Sequence, residues 1–190
     1  MTFRKLTMVL TSLAVAAFSA SGALAADTKL GVVVKIGGIP WFNSMEAGIE
    51  ERAKELGGES YMIGPPSADA ALQVRAIEDL IARGVTAIGV VPNDAEALEP
   101  VLAKARSKGI KVITHESPAQ KNVDWNFEMT SAKEFGEAHA ELLAEKSGGK
   151  GEYAVFVGSL TVPLHNAWAD SAIAYLTENY SEMKLVSERY

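Results

Sequence analysis

Short runs of apolar, often β-branched residues alternate along this chain with longer stretches whose apolar positions recur every three or four residues. The first apolar run lies at 30–34, and the stretch at 43–56 that follows it carries Met45 and Ile49 on its apolar face. Continuous apolar runs are typical of strands buried on both faces of a parallel sheet, and the helical spacing predicts helices that cover such a sheet. The pattern therefore predicts an α/β layer fold.

Four apolar runs and three helical stretches precede residue 116, each joined to the next by a short connection. The strands are predicted at 30–34, 61–63, 87–91 and 110–114, and the helices at 43–56, 69–83 and 100–107. Gly57, Gly84 and Gly109 follow the three helices, at the position where a left-handed residue commonly ends a helix. Pro100 is expected at the first position of the third helix, where its missing N–H breaks no intrahelical bond. This order predicts a doubly wound sheet.

A polar segment at 116–124 interrupts the alternation. It contains Pro118 and has no helical spacing, which indicates a connection between two lobes. Ser131 and Glu134 then form a capping-box pattern that starts another helix. The elements predicted after the connection are a helix at 131–146, a strand at 153–157, a helix at 167–178 and a strand from 183 onward.

The predicted organisation is two Rossmann-like, doubly wound α/β lobes preceded by an export signal. A second unit with only two strands leaves apolar surface uncovered, so we expect the second lobe to be incomplete in this chain. The predicted boundaries are 1–25 for the signal peptide, 26–117 for the N-terminal α/β lobe, 118–124 for the crossover between the lobes and 125–190 for the partial second lobe.

The first 25 residues have the pattern of a secretory signal peptide. Arg4 and Lys5 precede an apolar or small stretch at 6–24, and Ala23 and Ala25 provide the small-x-small cleavage site. The alternative, a transmembrane anchor, is weaker because polar residues interrupt the stretch and a cleavage site ends it. Removing two positive charges and no negative ones changes the formal net charge from −6 to −8, with 16 Lys and Arg against 24 Asp and Glu.

The net charge and the cysteine content indicate which classes of partner and which cellular compartment to expect. An acidic chain without a basic run offers no electrostatic surface for nucleic acid or anionic lipid. The chain has no cysteine, so it forms no disulfide and has no thiol at the new N-terminus to carry a lipid anchor. We expect a freely diffusing protein of the bacterial periplasm.

Polar and aromatic side chains follow the predicted strands, at the sheet edge where doubly wound folds bind ligands. Aromatic faces stack on the C–H faces of a sugar ring, and charged or amide groups pair with its hydroxyls. This mixture predicts a carbohydrate site. The candidate ligand-binding residues are Lys35, Trp41, Phe42, Asn93, His115, Glu116, His165 and Asn166.

Several candidates also have an ordinary structural interpretation. One of Trp41 and Phe42 is expected in the hydrophobic core, beneath the helix that follows. Asn93 is a common turn residue ahead of a helix. Lys35 is compatible with a solvated loop and Glu116 with a surface pair. These alternatives stay open at the level of sequence.

Motifs of the common enzyme classes do not occur in the chain. Gly37-Gly38 is not a dinucleotide-binding glycine pattern, Ser159 lacks the second glycine of a nucleophile elbow, and no H-x-x-x-H pair is present. We therefore predict no catalytic residues, no metal site and no cofactor. The alternative is a secreted α/β enzyme acting on small carbohydrates, for which His115 and Glu116 offer the one acid/base neighbourhood.

Taken in order, these segments resemble the sugar-type periplasmic solute-binding proteins of ABC importers, the ribose-binding class. Within that class the chain is most similar to the branch of autoinducer-2 and rhamnose binders. The resemblance extends from about residue 29 to 190, and the segments that carry it are 34–36, Trp41-Phe42, 84–88, 91–94, 109–116, 159–162, Asn166 and Trp168.

The resemblance implies a type I periplasmic binding protein, in which two lobes close on a sugar by hinge bending. Lys35 and Glu116 occupy the places where the autoinducer-2 branch holds its ligand with a lysine and an aspartate. Leu164 and His165 stand where that branch has an Asp-Gln pair, a departure that favours a neutral sugar. The implied role is capture of a simple sugar or sugar-like molecule, rhamnose or autoinducer-2-like, for an inner-membrane ABC permease, with a chemoreceptor as a further possible partner.

Overall fold

The computed structural model of the protein describes residues 28–190. The predicted signal peptide at 1–25 lies outside the described residues. Strands and helices alternate along the described chain, and their bounds are β1 (Lys29–Val33), α1 (Pro40–Leu56), β2 (Glu59–Ile63), α2 (Ala70–Ala82), β3 (Ala87–Val90), α3 (Ala95–Ser107), β4 (Lys111–His115), β5 (Trp125–Phe127), α4 (Ala132–Ser147), β6 (Lys150–Tyr153), α5 (Pro163–Asn179) and β7 (Glu182–Leu185).

The first unit is a five-stranded parallel sheet in the order β2-β1-β3-β4-β5. Alternate residues of β1 and its extension point to opposite faces. Val33 packs in a core with α2 and α3, whereas Val32 and Val34 pack in a second core with Phe42 of α1. Helices therefore cover both faces, which confirms the predicted doubly wound α/β fold.

The second unit consists of the parallel pair β6 and β7 with α4 and α5 packed together. Its small core contains Ala140, Ala144 and Leu176. Gly136 lies where α4 meets α5, and a Cβ built there would be 2.4 Å from the carbonyl oxygen of Trp168. Only glycine lets the two helices approach this closely.

Three helices begin earlier than predicted, and two of them begin with proline. The structure starts α1 at Pro40 instead of 43, and α5 at Pro163 instead of 167. Proline is favoured in the first turn because its missing N–H has no intrahelical partner there. As a result, Trp41, Phe42 and His165 lie in first helical turns, although they were expected in loops.

The prediction for the third helix was wrong at its start. The helix α3 begins at Ala95, and Asp94 caps it by accepting a hydrogen bond from the Ala97 N–H at 3.0 Å. Pro100 lies inside the helix and removes one intrahelical bond. The cap and the buried face that includes Leu98 and Leu102 compensate for that loss.

The prediction of a crossover at 118–124 is corrected by the pairing of β5. Trp125–Phe127 pairs in parallel with β4, so 118–124 connects two strands of one sheet, and the second unit begins after this strand. A strand of three residues lacks the apolar run that reveals longer strands. The strand predicted at 153–157 also moves, because β6 pairs with β7 over Lys150–Tyr153.

Among residues 28–190, none of the helices combines the length and the apolar character that crossing a bilayer requires.

Candidate functional site

A cleft of about 560 Å³ lies between the carboxyl ends of the first sheet's strands and the first turn of α5. Its wall combines buried charged groups with aromatic and aliphatic side chains. Seven of the eight candidates line it: Lys35, Trp41, Phe42, Asn93, His115, Glu116 and His165. The structure thus brings together residues from both units. The rule that ligands bind at the carboxyl ends of the strands did not by itself predict that His165 of the second unit would face the same cleft.

Lys35 and Glu116 form an ion pair at the base of this cleft. They follow β1 and β4, the two strands that flank β3, so their side chains meet although 81 positions separate them. Lys35 is 7% exposed and Glu116 is 8% exposed. A pair this well shielded from water strongly constrains any group that binds beside it.

The Glu116 carboxyl is held in its ionised form. Burial by itself would raise its pKa, but the hydrogen bond from His165 and the charge of Lys35 outweigh burial and lower the pKa from 4.5 to about 2. Glu116 is therefore a carboxylate throughout the neutral range, able to accept hydrogen bonds but without a proton to donate.

The backbone of Glu116 is in the left-handed region, with φ of 59°. Among residues 28–190 it is the one non-glycine residue with positive φ. Such a conformation costs on the order of 1–3 kcal/mol and persists where the surrounding structure enforces it, commonly at binding sites. The left-handed backbone therefore indicates that the surrounding structure holds Glu116 in place.

His165 approaches Glu116 from the second unit in a defined tautomer. The Gly158 N–H donates to its Nδ1 at 3.1 Å, so Nδ1 is an acceptor and Nε2 carries the proton. Nε2 lies 3.5 Å from Glu116 Oε2 and 3.3 Å from Lys35 Nζ. A Cβ at Gly158 would come within 2.8 Å of the imidazole ring, so a larger residue there would displace the ring from this position.

His115 lies between two carboxylates on the other side of Glu116. Its Nδ1 is 2.8 Å from the carbonyl oxygen of Phe127, which can only accept, so Nδ1 carries a proton. Nε2 is 3.9 Å from Glu116 Oε1, and Glu128 Oε2 is 3.7 Å from Nδ1. The ring is therefore fixed from the β5 side and presents Nε2 toward Glu116.

Asn93 positions the backbone around Lys35. Its side-chain amide donates to the Lys35 carbonyl at 2.9 Å, and its own N–H donates to the Oε1 of Gln73 at 2.8 Å. Gln73, fully buried on α2, also donates to the carbonyls of Val34 and Val91. Sequence reasoning missed Gln73, although a lone amide among apolar residues on the inner helix face was a usable signal.

The adjacent aromatic residues Trp41 and Phe42 have different environments. Phe42 is 5% exposed and packs with Val32 and Val34, which confirms that one of the two belongs to the core. Trp41 is 51% exposed while it lines the cleft. Its indole is thus available to a bound molecule.

An aromatic stack forms the opposite wall. Trp168 stacks on Phe135 with ring centroids 4.2 Å apart and on His165 at 5.2 Å. The stack joins α4 to α5 and holds the imidazole beside Glu116. Phe135 and Glu128 were not predicted: Glu128 follows β5, a strand that the sequence did not reveal.

Asn166 does not line the cleft, in contrast to its prediction as a ligand contact. Its amide nitrogen donates to the carbonyls of Leu160 and Val162 at 3.1 and 2.8 Å, and its oxygen accepts from Arg189 at 2.7 Å. These bonds occupy its polar atoms. They hold the loop whose Thr161 hydroxyl donates to the Asn93 carbonyl at 2.9 Å, a direct bond between the two units.

Within the described part of the chain, no group of three or more His, Cys, Asp or Glu side chains is arranged to hold a metal ion. The acidic and imidazole groups of the cleft contact Lys35, backbone groups and one another.

The chain belongs to the family of the periplasmic binding protein domain, whose model matches residues 30–190. The ribose import binding protein of Bacillus subtilis (strain 168) is 28% identical over 122 residues, which cover 64% of this chain and 40% of that protein. An ABC transporter solute-binding protein from Clostridium phytofermentas, solved with bound L-rhamnose, superposes with a TM-score of 0.81 at 28% identity, covering 86% of this chain and 51% of that one. Another from Burkholderia graminis C4D1M, in complex with D-arabinose, has a TM-score of 0.77 at 28% identity over 85% and 55% of the two chains.

These similarities confirm the predicted resemblance to sugar-type periplasmic binding proteins and their type I fold. The chain spans about half the length, or less, of these relatives.

Proposed function

We propose that this protein is the periplasmic solute-binding component of an ABC transporter, which captures a simple sugar in the cleft and delivers it to a permease in the inner membrane. The observation that carries the proposal is the buried Lys35–Glu116 pair set in an aromatic cleft. Charged groups that are already paired, beside exposed indole surface, suit a ligand with hydroxyls and C–H faces.

The Lys35–Glu116 pair favours an uncharged ligand, and the Glu128 carboxylate that also lines the cleft further disfavours an anionic one. Lys35 and Glu116 neutralise each other, so an anionic ligand would draw Lys35 away and leave the Glu116 carboxylate buried without a counterion, which is costly. A cationic ligand would draw Glu116 away and leave the Lys35 ammonium buried without a counterion. A neutral sugar can share hydroxyl hydrogen bonds with both groups while the pair stays intact.

The apolar part of the wall favours a sugar with few hydroxyls on one side. Ile36, Met129, Phe135 and Leu164 also line the cleft, and burying a methyl group against them is favourable, whereas burying an unpaired hydroxyl is costly. L-rhamnose, a deoxy sugar bound by the relative with the TM-score of 0.81, is therefore the first ligand to test. An autoinducer-2-like molecule is the second.

In this proposal the cleft residues have separate tasks. Lys35 and Glu116 bind hydroxyls, Trp41 stacks on the ring, and His165 brings the second unit onto the ligand. Hinge closure then follows from the preference of the ligand for the closed state. Asn93 and Phe42 support these groups from below.

The alternative of a secreted carbohydrate enzyme has less support. A general acid needs a proton at the working pH, and the low pKa of Glu116 leaves it without one. In this proposal the protein acts in the periplasm. A chemoreceptor that recognises the loaded form is a further proposed partner.

Titration of ¹⁵N-labelled protein with a panel of sugars tests the proposal. The panel contains L-rhamnose, D-ribose, D-arabinose and autoinducer-2, with D-galacturonate as a charged counterpart of similar size. We expect one neutral member to shift the amide signals around Lys35 and Glu116 in a saturable way, and D-galacturonate to leave them unchanged. The absence of saturable shifts with every neutral sugar, or a preference for the sugar acid, would contradict the proposal.

A further inference from the structure

We propose that Glu99 is the positioning residue that holds Glu116 in its left-handed binding conformation, although Glu99 does not line the cleft. The inference rests on the proposed function only for the role of Glu116 in binding the ligand. Its structural basis is a network of hydrogen bonds from the segment 117–122, which follows Glu116 directly, to the side chain of Glu99 on α3.

The Glu99 carboxylate accepts four hydrogen bonds from three consecutive residues. Oε1 accepts from the Gln120 side chain at 2.8 Å and from the Lys121 N–H at 2.7 Å. Oε2 accepts from the Asn122 N–H at 3.0 Å and from its side chain at 2.5 Å. Four bonds fill the acceptor capacity of a carboxylate, so this one group fixes the end of the segment completely.

A tight turn transmits that constraint back to Glu116. The Gln120 N–H donates to the Ser117 carbonyl at 3.1 Å, and the Ser117 hydroxyl donates to Gln120 Oε1 at 3.1 Å. Pro118 stands at the second turn position, which its fixed φ suits. Gln120 also donates to the Ala95 carbonyl at 2.8 Å, which ties the turn to the start of α3.

The sheet fixes the other side of Glu116. Thr114 donates to Asn126 at 2.8 Å and pairs with it in the β4–β5 ladder, and His115 is paired with Phe127. Glu116 is therefore the one residue between a strand that cannot move and a turn that Glu99 holds. Its strained φ is the conformation that joins these two fixed ends.

Charge supports the same assignment. Burial alone would raise the pKa of Glu99, but the hydrogen bonds from the Lys121 and Asn122 backbones and from the Asn122 and Gln120 side chains lower it overall. Glu99 therefore stays a carboxylate at neutral pH. Substitution by glutamine would replace one acceptor oxygen with an NH₂ group that faces donors.

The test compares Glu99→Gln with Glu96→Gln, which removes the same charge from an exposed position of α3. Two readouts are followed by NMR without added sugar: amide exchange at Lys121 and Asn122, and the titration of the Glu116 carboxyl carbon. We expect Glu99→Gln to speed exchange at least about tenfold and to raise the Glu116 midpoint from about 2, because the carboxylate loses its fixed distance to Lys35. Glu96→Gln is expected to change neither.

A second variant keeps the test decisive if Glu99→Gln folds poorly. Asn122→Ala removes only one of the four hydrogen bonds, and we expect smaller changes in the same direction in both readouts. Faster exchange at Lys121 with an unchanged Glu116 titration in either variant would show that Glu99 only stabilises the turn, and would overturn the inference. Since no sugar is present, a failure of the sugar proposal leaves this result unaffected.

Discussion

Lys35 and Glu116 meet across β3 as a buried ion pair, one residue from each flanking strand, with His165 of the second unit beside both. The pair makes the base of the cleft charged but neutral overall. This single contact connects the stability of the first unit to the chemistry proposed for the cleft.

Breaking the pair on one side should destabilise the protein. Glu116→Gln leaves the Lys35 ammonium buried without a counterion, and we expect the free energy of unfolding in urea to fall by about 3 kcal/mol. The double variant Lys35→Met with Glu116→Gln should recover most of that loss. Glu78→Gln breaks the exposed pair with Lys104 and should cost less than about 1 kcal/mol. Equal losses from the two pairs would show that water reaches the Lys35–Glu116 pair as freely as the exposed one.

The Glu116 carboxyl should make the free energy of unfolding depend on pH in the acidic range. Its pKa is lowered from 4.5 to about 2 on folding, so the unfolded chain binds this proton more readily. The stabilisation is complete above about pH 4.5 and is lost as the pH falls toward 2, with a slope of at most about 1.4 kcal/mol per pH unit.

Unfolding curves at several pH values check this dependence. Glu116→Gln retains the other carboxyls with lowered pKa, Glu99, Asp124 and Glu134, so the difference between the two proteins isolates Glu116. The difference should shrink as the pH falls from 4.5 to 2 and stay constant above pH 5. A difference that does not change across the acidic window would refute the lowered pKa.

Trp41 and Phe42 provide a matched pair of aromatic substitutions. Trp41→Ala should leave the free energy of unfolding within about 1 kcal/mol, because the indole is half exposed, and weaken sugar binding by about 1–2 kcal/mol through loss of stacking. Phe42→Ala should lower stability by about 3–5 kcal/mol, because it empties a core position. Urea unfolding measures the change in stability, and calorimetric titration measures the change in sugar binding. A large loss of stability in Trp41→Ala together with a stable Phe42→Ala would contradict the assignment of Phe42 to the core and Trp41 to the cleft.

Gly136 and Gly48 test the packing of the second unit. Gly136→Ala drives a methyl group to 2.4 Å from the Trp168 carbonyl, so we expect a loss of about 1–3 kcal/mol. Gly48, exposed in α1, has open space around it, and Gly48→Ala should stabilise by about 0.5–1 kcal/mol. Thermal unfolding measures both changes. An unchanged stability in Gly136→Ala would show that a methyl group fits between α4 and α5, which contradicts the close approach of the two helices.

Much of the cleft followed from one topological rule. The carboxyl ends of parallel strands meet at one edge, so residues placed after β1, β3 and β4, such as Lys35, Asn93 and Glu116, were expected together and lie together. The helices failed mainly at their starts. Pro40 and Pro163 each begin a helix, whereas Pro100 lies inside one. The local sequence does not distinguish a proline that begins a helix from one that lies within it.

The remaining features depend on contacts distant in sequence. The strand β5 shows no apolar run because Asn126 separates Trp125 from Phe127, and only pairing with β4 defines it. Glu99 becomes significant only when the segment around Asn122 folds back onto α3. Such partners are chosen by tertiary structure, which periodicity cannot report.

The most direct test of the central proposal follows the side-chain ¹⁵N signal of Lys35 while a neutral monosaccharide, L-rhamnose first, is added. We predict that the Lys35 signal and the Trp41 indole signal shift along one saturable curve, while the signal of Lys104, in its exposed pair, stays in place. A neutral sugar that binds without shifting the Lys35 and Trp41 signals, or a panel in which no neutral sugar shifts them, would contradict the proposed binding of a neutral sugar by these residues.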